Sequence, residues 1–223
     1  MREIVIDTET TGLDPRNGDR IVEIAAVELV NHLPTGKVFH YYVNPEREMS
    51  EDAFAIHGLG TAFLADKPRF AEIADSFVEF IDGARLVIHN AEFDLAFLNA
   101  ELGRLSLTGL GRDRAVDTLA LARQKFPGAP ASLDALCRRF AIDNSARAKH
   151  GARLDAELLS EVYLELIGGR QAGFDLATTR SVEQAVADAV RHYRPARPHA
   201  ASVAELAAHA ALVARLKEPL WLT

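Results

Sequence analysis

The sequence is poor in cysteine. A single thiol, Cys137, stands among 223 residues, which excludes an internal disulfide and suits a reducing compartment. Tryptophan is as scarce, with only Trp221 near the C-terminus. No apolar run approaches the roughly 18–20 residues of a membrane span. The first apolar run stops at Asp7, with Glu3 ahead of it, unlike a signal peptide. These absences predict a soluble, cytoplasmic protein with no membrane partner. Positive charge is short too. Residues 1–167 carry 18 Lys and Arg against 27 Asp and Glu, a balance of −9, whereas residues 168–223 carry 7 against 5. An acidic main domain excludes tight autonomous binding to nucleic acid, which basic surfaces provide. Weak binding, helped by cations or partners, stays open.

What is present is ordinary globular composition, 48% hydrophobic and 26% charged, enough for a core. Three β-rich runs, 3–7, 20–30 and 37–45, are separated by "TTGLDPRNGD" and "LPTG", which carry turn chemistry. Short turns predict an antiparallel meander. Helical spacing at 70, 73, 77, 80 and 81 follows, between Pro68 and Gly83. "RLVIHN" predicts a fourth strand, and Asn90 a cap for the helix ending at Gly103. A short fifth strand and a helix lie in "RAVDTLALARQKFP", then a small helix capped by Ser132 and a long helix over 151–169. The order β-β-β-α-β-α-β-α-α-α predicts an α/β, ribonuclease-H-like domain: a mixed five-stranded sheet flanked by helices, its first strand central. Residues 1–167 form this domain. Glycines and a polar drift mark 168–201 as a flexible linker, and 202–223 as a C-terminal helical tail. The tail opens on the capping-box pattern Ser202-x-x-Glu205 and lines Val203, Leu206, Ala210, Val213 and Leu216 on one face.

The stretch "IVIDTETTG" places Asp7 and Glu9 at i and i+2 of a strand end, on one face. Two unit charges about 4 Å apart repel by roughly 4 kcal/mol at an effective dielectric near 20, so the pair is either exposed and harmless or offset. Asp94, in "HNAEFDLAFL", falls in the first turn of the helix that follows the fourth strand. A parallel crossover brings that helix start toward the carboxyl end of the first strand. In "HGARLDA", His150 stands just before a helix and Asp155 in its first turns. Taken singly, each residue has an ordinary use: a solvated strand end, an acid near a helix N-terminus, an exposed loop histidine. Together, four converging carboxylates call for hard divalent cations, which take oxygen ligands. Two such ions about 3.5–4 Å apart clamp an in-line phosphoryl displacement, and a neutral histidine beside them takes a proton from the attacking water.

"DTETTG", "HNAEFD" and "HGARLDA" resemble the three motifs of the DEDDh exonucleases. The stretches "FAIHG", "KPRFAEIADSFVEFI", the run from "ARQKFPG" to "LLSEVYL" and the tail "LAAHAALVARLKEPLW" narrow the resemblance to the proofreading epsilon subunits of bacterial DNA polymerase III. The resemblance implies a 3′–5′ exonuclease acting on single-stranded 3′ DNA ends. It implies two divalent cations, Mg2+ or Mn2+, held by Asp7, Glu9, Asp94 and Asp155, with His150 as general base. It also implies substrate contacts at Asp7, Glu9, Thr10, Asp52, His57 and Asp155, the family often having Glu at the position of Asp52. Leu13, Ile56 and Phe93 then form an apolar wall for the terminal base, or are simply core. Gln171, Phe174 and Leu176 resemble a sliding-clamp peptide. The amphipathic tail, with Leu206, Val213, Leu216 and Trp221, suits helix-in-groove binding, in that family to the polymerase alpha subunit. Two other readings stay open. A DEDDh exoribonuclease has no evident need of a tethered tail, and a non-enzymatic scaffold gains nothing from clustered carboxylates.

Overall fold

A computed structural model describes residues 1–147, 149–169 and 200–217. The chain divides into two compact units, Met1–Gly173 and Phe174–Thr223. The first holds a five-stranded sheet of order β3-β2-β1-β4-β5. Strands β1 (Arg2–Thr10), β2 (Ile21–Val30) and β3 (Leu33–Tyr42) form the antiparallel meander. Strands β4 (Arg85–Ile88) and β5 (Ala115–Asp117) pair in parallel, β4 against β1. Central β1 is covered on both faces, which is why its apolar run is unbroken. Ile4 and Ile6 pack with Phe70, Phe77 and Phe97 from helices α3 (Phe70–Ile81) and α4 (Ala91–Arg104). Val5 packs on the opposite side with Leu136, Leu159 and Val162, from α6 (Leu133–Phe140) and α7 (Ala152–Leu166). Helix α5 (Thr118–Lys125) is capped by Asp117, and α6 by Ser132, as its sequence predicts.

Several local expectations are corrected. Strand β1 does not end at Asp7 but continues through the acids to Thr10, because the ladder to β2 goes on: Asp7 opposes Ala25 and Glu9 opposes Glu23 before a register shift at Glu9/Thr10. The segment "LPTG" is not the hairpin turn. It lies in β3 beside an irregularity between Val27 and Leu29. The turn is Asn31-His32, both left-handed at φ 51° and 67°, the two-residue geometry that matches strand twist. Asn90 makes no side-chain cap and is itself left-handed at φ 65°. Pro68 precedes α3, whose N-cap is Arg69.

Residues 50–57 also form structure that periodicity does not reveal. Ser50 caps α1 (Glu51–His57), accepting from the Ala53 N–H at 3.3 Å, and Gly58 closes it at φ 76°. The Ser50 hydroxyl donates to the Thr11 carbonyl at 2.9 Å, which fastens α1 to the end of β1. A short α2 (Thr61–Leu64) follows.

In the second unit, α8 (Val203–Val213) carries the capping box: Ser202 Oγ accepts from the Glu205 N–H at 3.3 Å, and Glu205 accepts from the Ser202 N–H at 2.7 Å. Val203, Leu206, Leu212 and Leu216 are exposed, and Val213 is buried. Gln171, Phe174, Leu176 and Trp221 lie outside the described residues.

Candidate active site

The site gathers where β1 ends. Strand alternation points Asp7 and Glu9 to the α7 side, the side of Val5. Thr8 points the other way, and its hydroxyl donates to Asp94 Oδ1 at 2.7 Å, holding the first turn of α4 against the strand. Asp155 is buried in the first turn of α7. The His150 N–H donates to the Ile56 carbonyl at 3.3 Å, so the segment before α7 is laid beside α1. Glu9, His150 and Asp155 bring one potential ligand atom each within 4.8 Å of one another. Asp7 lines a small cleft of about 210 Å3 with His89, Ser132, Leu133, Arg147, His150 and Asp155.

Electrostatics show how crowded this end is. Burial, then Asp94, Glu9 and Asp155, push the Asp7 carboxyl well above its ordinary value. Burial, then Asp155 and Glu23, raise Glu9 to about 8. Burial also raises Asp94, against the Thr8 hydrogen bond, which favours the carboxylate. Such acids would gain from a cation. The donor set is carboxylate oxygen with one imidazole, which suits a hard divalent ion, so the residues fit the metal their motifs imply.

A second cleft, of about 330 Å3, opens beside the acids. Thr8, Glu9, Thr10, Gly12, Leu13, Ser50, Asp52, Ala53, Ile56, His57 and Phe93 line it. Leu13 is 83% exposed and Ile56 50%, so the rim keeps apolar surface in water at roughly 25 cal/mol per Å2. His57 is buried, which pushes its imidazole below the ordinary value. Its Nδ1 accepts from the Leu59 N–H at 3.0 Å, which leaves the proton on Nε2, toward the Thr10 backbone. A Cβ at Gly12 would lie 2.3 Å from Asp19 Oδ2, so a larger residue there must displace that carboxylate.

Three residues escape sequence reasoning. Thr8 sits between the acids and orients Asp94. Glu23 accepts from the Ala152 N–H at 3.1 Å and contacts His40 Nε2 at 2.7 Å, tying the N-terminus of α7 to β2. A charge inside the apolar run "RIVEIAAVE" is the signal for it. Arg147 forks Asp155, with Nε at 2.5 Å and Nη2 at 2.6 Å. It stands in a polar stretch that offers no such signal.

Residues 4–163 match the RNase_T family, described as exonuclease. The family match and the fold therefore define a metal-dependent 3′–5′ exonuclease. The chain is 56% identical over 186 residues to DNA polymerase III subunit epsilon of Rickettsia felis, covering 82% of this chain and 81% of that one. Its counterpart in Escherichia coli K12 is 45% identical over 227 residues, with 94% and 91% covered. Among solved structures, Exonuclease X in complex with 5′ overhanging duplex DNA aligns with a TM-score of 0.57 and 28% identity, over 74% of this chain and 90% of that one. The chain belongs to the exonuclease family and, within it, to the epsilon subunits of DNA polymerase III. Among the described residues no helix is long and apolar enough to cross a membrane.

The raised acids make stability depend on pH in a definite direction. Unfolded Asp and Glu titrate near about 3.9 and 4.3, whereas Glu9 titrates near 8 in the folded chain. The folded state therefore binds more protons through that window, and stability falls as pH rises through it. His57 and His89, both lowered by burial, oppose this only up to the ordinary histidine range near about 6.5. In EDTA the melting temperature is expected to fall between about pH 7 and 8.5, and saturating Mn2+ to remove the fall. A flat or rising profile in EDTA would contradict the account.

Proposed function

We propose that the chain is the proofreading 3′–5′ exonuclease of a replicative polymerase assembly, removing mispaired nucleotides from single-stranded 3′ DNA ends. The observation that carries this is the meeting of Glu9 from β1, Asp155 from α7 and His150, with Asp7 lining the same end, beside an apolar-rimmed cleft. Asp7, Glu9, Asp94 and Asp155 would hold two divalent cations, Mg2+ or Mn2+. When bound, these neutralise charge on the phosphate and stabilise the attacking and leaving oxygens. His150 takes the proton of the attacking water. The terminal nucleotide lies in the 330 Å3 cleft, with Leu13, Ile56 and Phe93 against its base, and Thr10, Asp52 and His57 supplying polar contacts. The Nε2–H of His57, a donor in the wall of this cleft, would be shared between the Thr10 backbone and a nucleotide oxygen.

The cleft is at the small end of ligand pockets and takes one unpaired nucleotide, so a 3′ end must fray to enter. Unpairing costs least at a mismatch. Selectivity then resides in the melting of the substrate and not in base readout. The full chain with Mg2+ is expected to digest a 3′-mispaired primer faster than a paired one. Equal rates would refute this.

The acidic domain needs little affinity of its own if a tether supplies high effective concentration. Residues 1–167 would be the catalytic domain, 168–201 the linker and 202–223 the polymerase anchor. The alpha subunit would take the tail, through Leu206, Val213, Leu216 and Trp221. Gln171, Phe174 and Leu176 would meet the sliding clamp. The exposed Leu206 and Leu216 of the second unit support a partner. Deleting 202–223 is expected to abolish capture by the alpha subunit while leaving exonuclease activity intact, and undiminished capture would refute the anchor.

A further inference from the structure

We propose that Arg147 is a built-in counter-cation of the active site, pairing with Asp155 and His150 and competing with a divalent ion for Asp155. The inference rests on the metal reading above. Three observations carry it. First, the guanidinium covers both Asp155 oxygens, Nε on Oδ1 and Nη2 on Oδ2. These are oxygens a cation at this site would use, and two positive groups cannot share one carboxylate face without strong repulsion. Second, Nη2 also lies 2.9 Å from His150 Nδ1. Arginine has no acceptor, so Nδ1 is the acceptor and its lone pair is engaged. One cation thus occupies two of the residues assigned to catalysis. Third, the group is built in and not adventitious. Its side chain is 6% exposed, and Nη1 bridges to Asp134 on α6 at 2.7 Å. Asn144 Nδ2 in turn donates to Asp134 Oδ1 at 2.9 Å and holds that carboxylate. When Asp155 is taken, Arg147 keeps Asp134 as its partner, so release does not strand a buried charge.

The arrangement places one positive charge among the crowded acids. Among the described residues that contact the three-residue ligand group Glu9, His150 and Asp155, Arg147 is the one that forms an ion pair with an acid of that group. It offsets part of the repulsion, and its displacement is a cost that every cation must meet. Arg147 is therefore a positioning residue that sets cation affinity.

The test is Mn2+ titration calorimetry on the full chain, with wild type beside Arg147→Met and Arg147→Lys. Methionine keeps part of the stem packing and removes the fork. The Met variant is expected to bind Mn2+ about tenfold more tightly, the order of one charge-assisted hydrogen bond. It is also expected to melt lower in EDTA and to gain more from Mn2+ than wild type does. The Lys variant, a point charge without the fork, is expected to fall between. Unchanged or weaker Mn2+ affinity in the Met variant overturns the proposal. If that variant does not fold without metal, unchanged affinity in the Lys variant overturns it. Wild type that binds no Mn2+ at all would instead remove the metal reading beneath it, and the proposal with it.

Discussion

Replacing Asp7 with asparagine is expected to cost at least about a thousandfold in exonuclease rate, since a ligand to the proposed cations is worth several kcal/mol in the transition state and each 1.4 kcal/mol is about tenfold. The same substitution is expected to raise the melting temperature in EDTA at pH 8. The two effects share one cause. Asp7 sits in a buried strand end, and its carboxyl is pushed up by burial and by Asp94, Glu9 and Asp155. Asparagine has nearly the same shape and cannot ionise, so it relieves repulsion that the folded chain otherwise bears. A residue placed for packing behaves in the opposite way, because its replacement lowers stability. The decisive measurement is the pair of readouts on one variant. Lost activity with lowered stability would make Asp7 a structural residue, and retained activity would remove it from the metal site.

The sign should reverse when Mn2+ is added. Wild type gains stability from the ion by linkage, and Asp7→Asn gains less because one ligand is gone. The order of melting temperatures in EDTA, variant above wild type, should therefore invert at saturating cation. Strand β1 makes the comparison clean. Ile4, Val5 and Ile6 are fully buried on both sides of the sheet, so the backbone that carries position 7 is held by packing that the substitution does not touch.

The sequence reveals the fold where periodicity and caps act locally. The meander, the crossovers and the mixed five-stranded sheet follow from three strands on short turns and then alternating elements. The acids are legible for a similar reason. Strand period two puts Asp7 and Glu9 on one side, and a first-turn position puts Asp94 and Asp155 at helix starts. What local rules miss depends on partners distant in sequence. "DTET" reads as the end of a strand because acids are poor strand formers, yet β2 supplies Ala25, Ile24 and Glu23 opposite it. Helix α1 carries a local signal, Ser50 followed by two acids and closed by Gly58, but seven residues are too few for an apolar period to show. The hairpin at Asn31-His32 lacks the expected glycine. Arg147 cannot be found by pattern at all, because what singles it out is Asp155, eight residues on and one helix start away.

His150→Ala carries the second large effect, an expected loss of about 10²–10⁴ in rate, the range of a general base. The assignment has a competitor. His150 stands in the same three-residue group as Glu9 and Asp155, within 4.8 Å, so its ring is placed equally well to ligate a cation. The two roles separate experimentally. A ligand's removal weakens cation binding, and the lost rate returns as the cation concentration is raised. A base's removal leaves the Mn2+ titration midpoint nearly unchanged, and no amount of cation restores the rate. Geometry favours the base. His150 is about half exposed, whereas Asp155 beside it is buried, so the ring borders the solvent from which the attacking water comes. Its backbone is held by Ile56, at the rim of the cleft proposed for the nucleotide, so the ring lies between water and substrate. Without the imidazole the proton must go to hydroxide in bulk solution. The residual rate of His150→Ala should then climb about tenfold per pH unit where the wild-type rate has levelled. A shifted cation midpoint together with rescue by excess Mn2+ would make His150 a ligand and leave the base to be found among the remaining groups of the cleft.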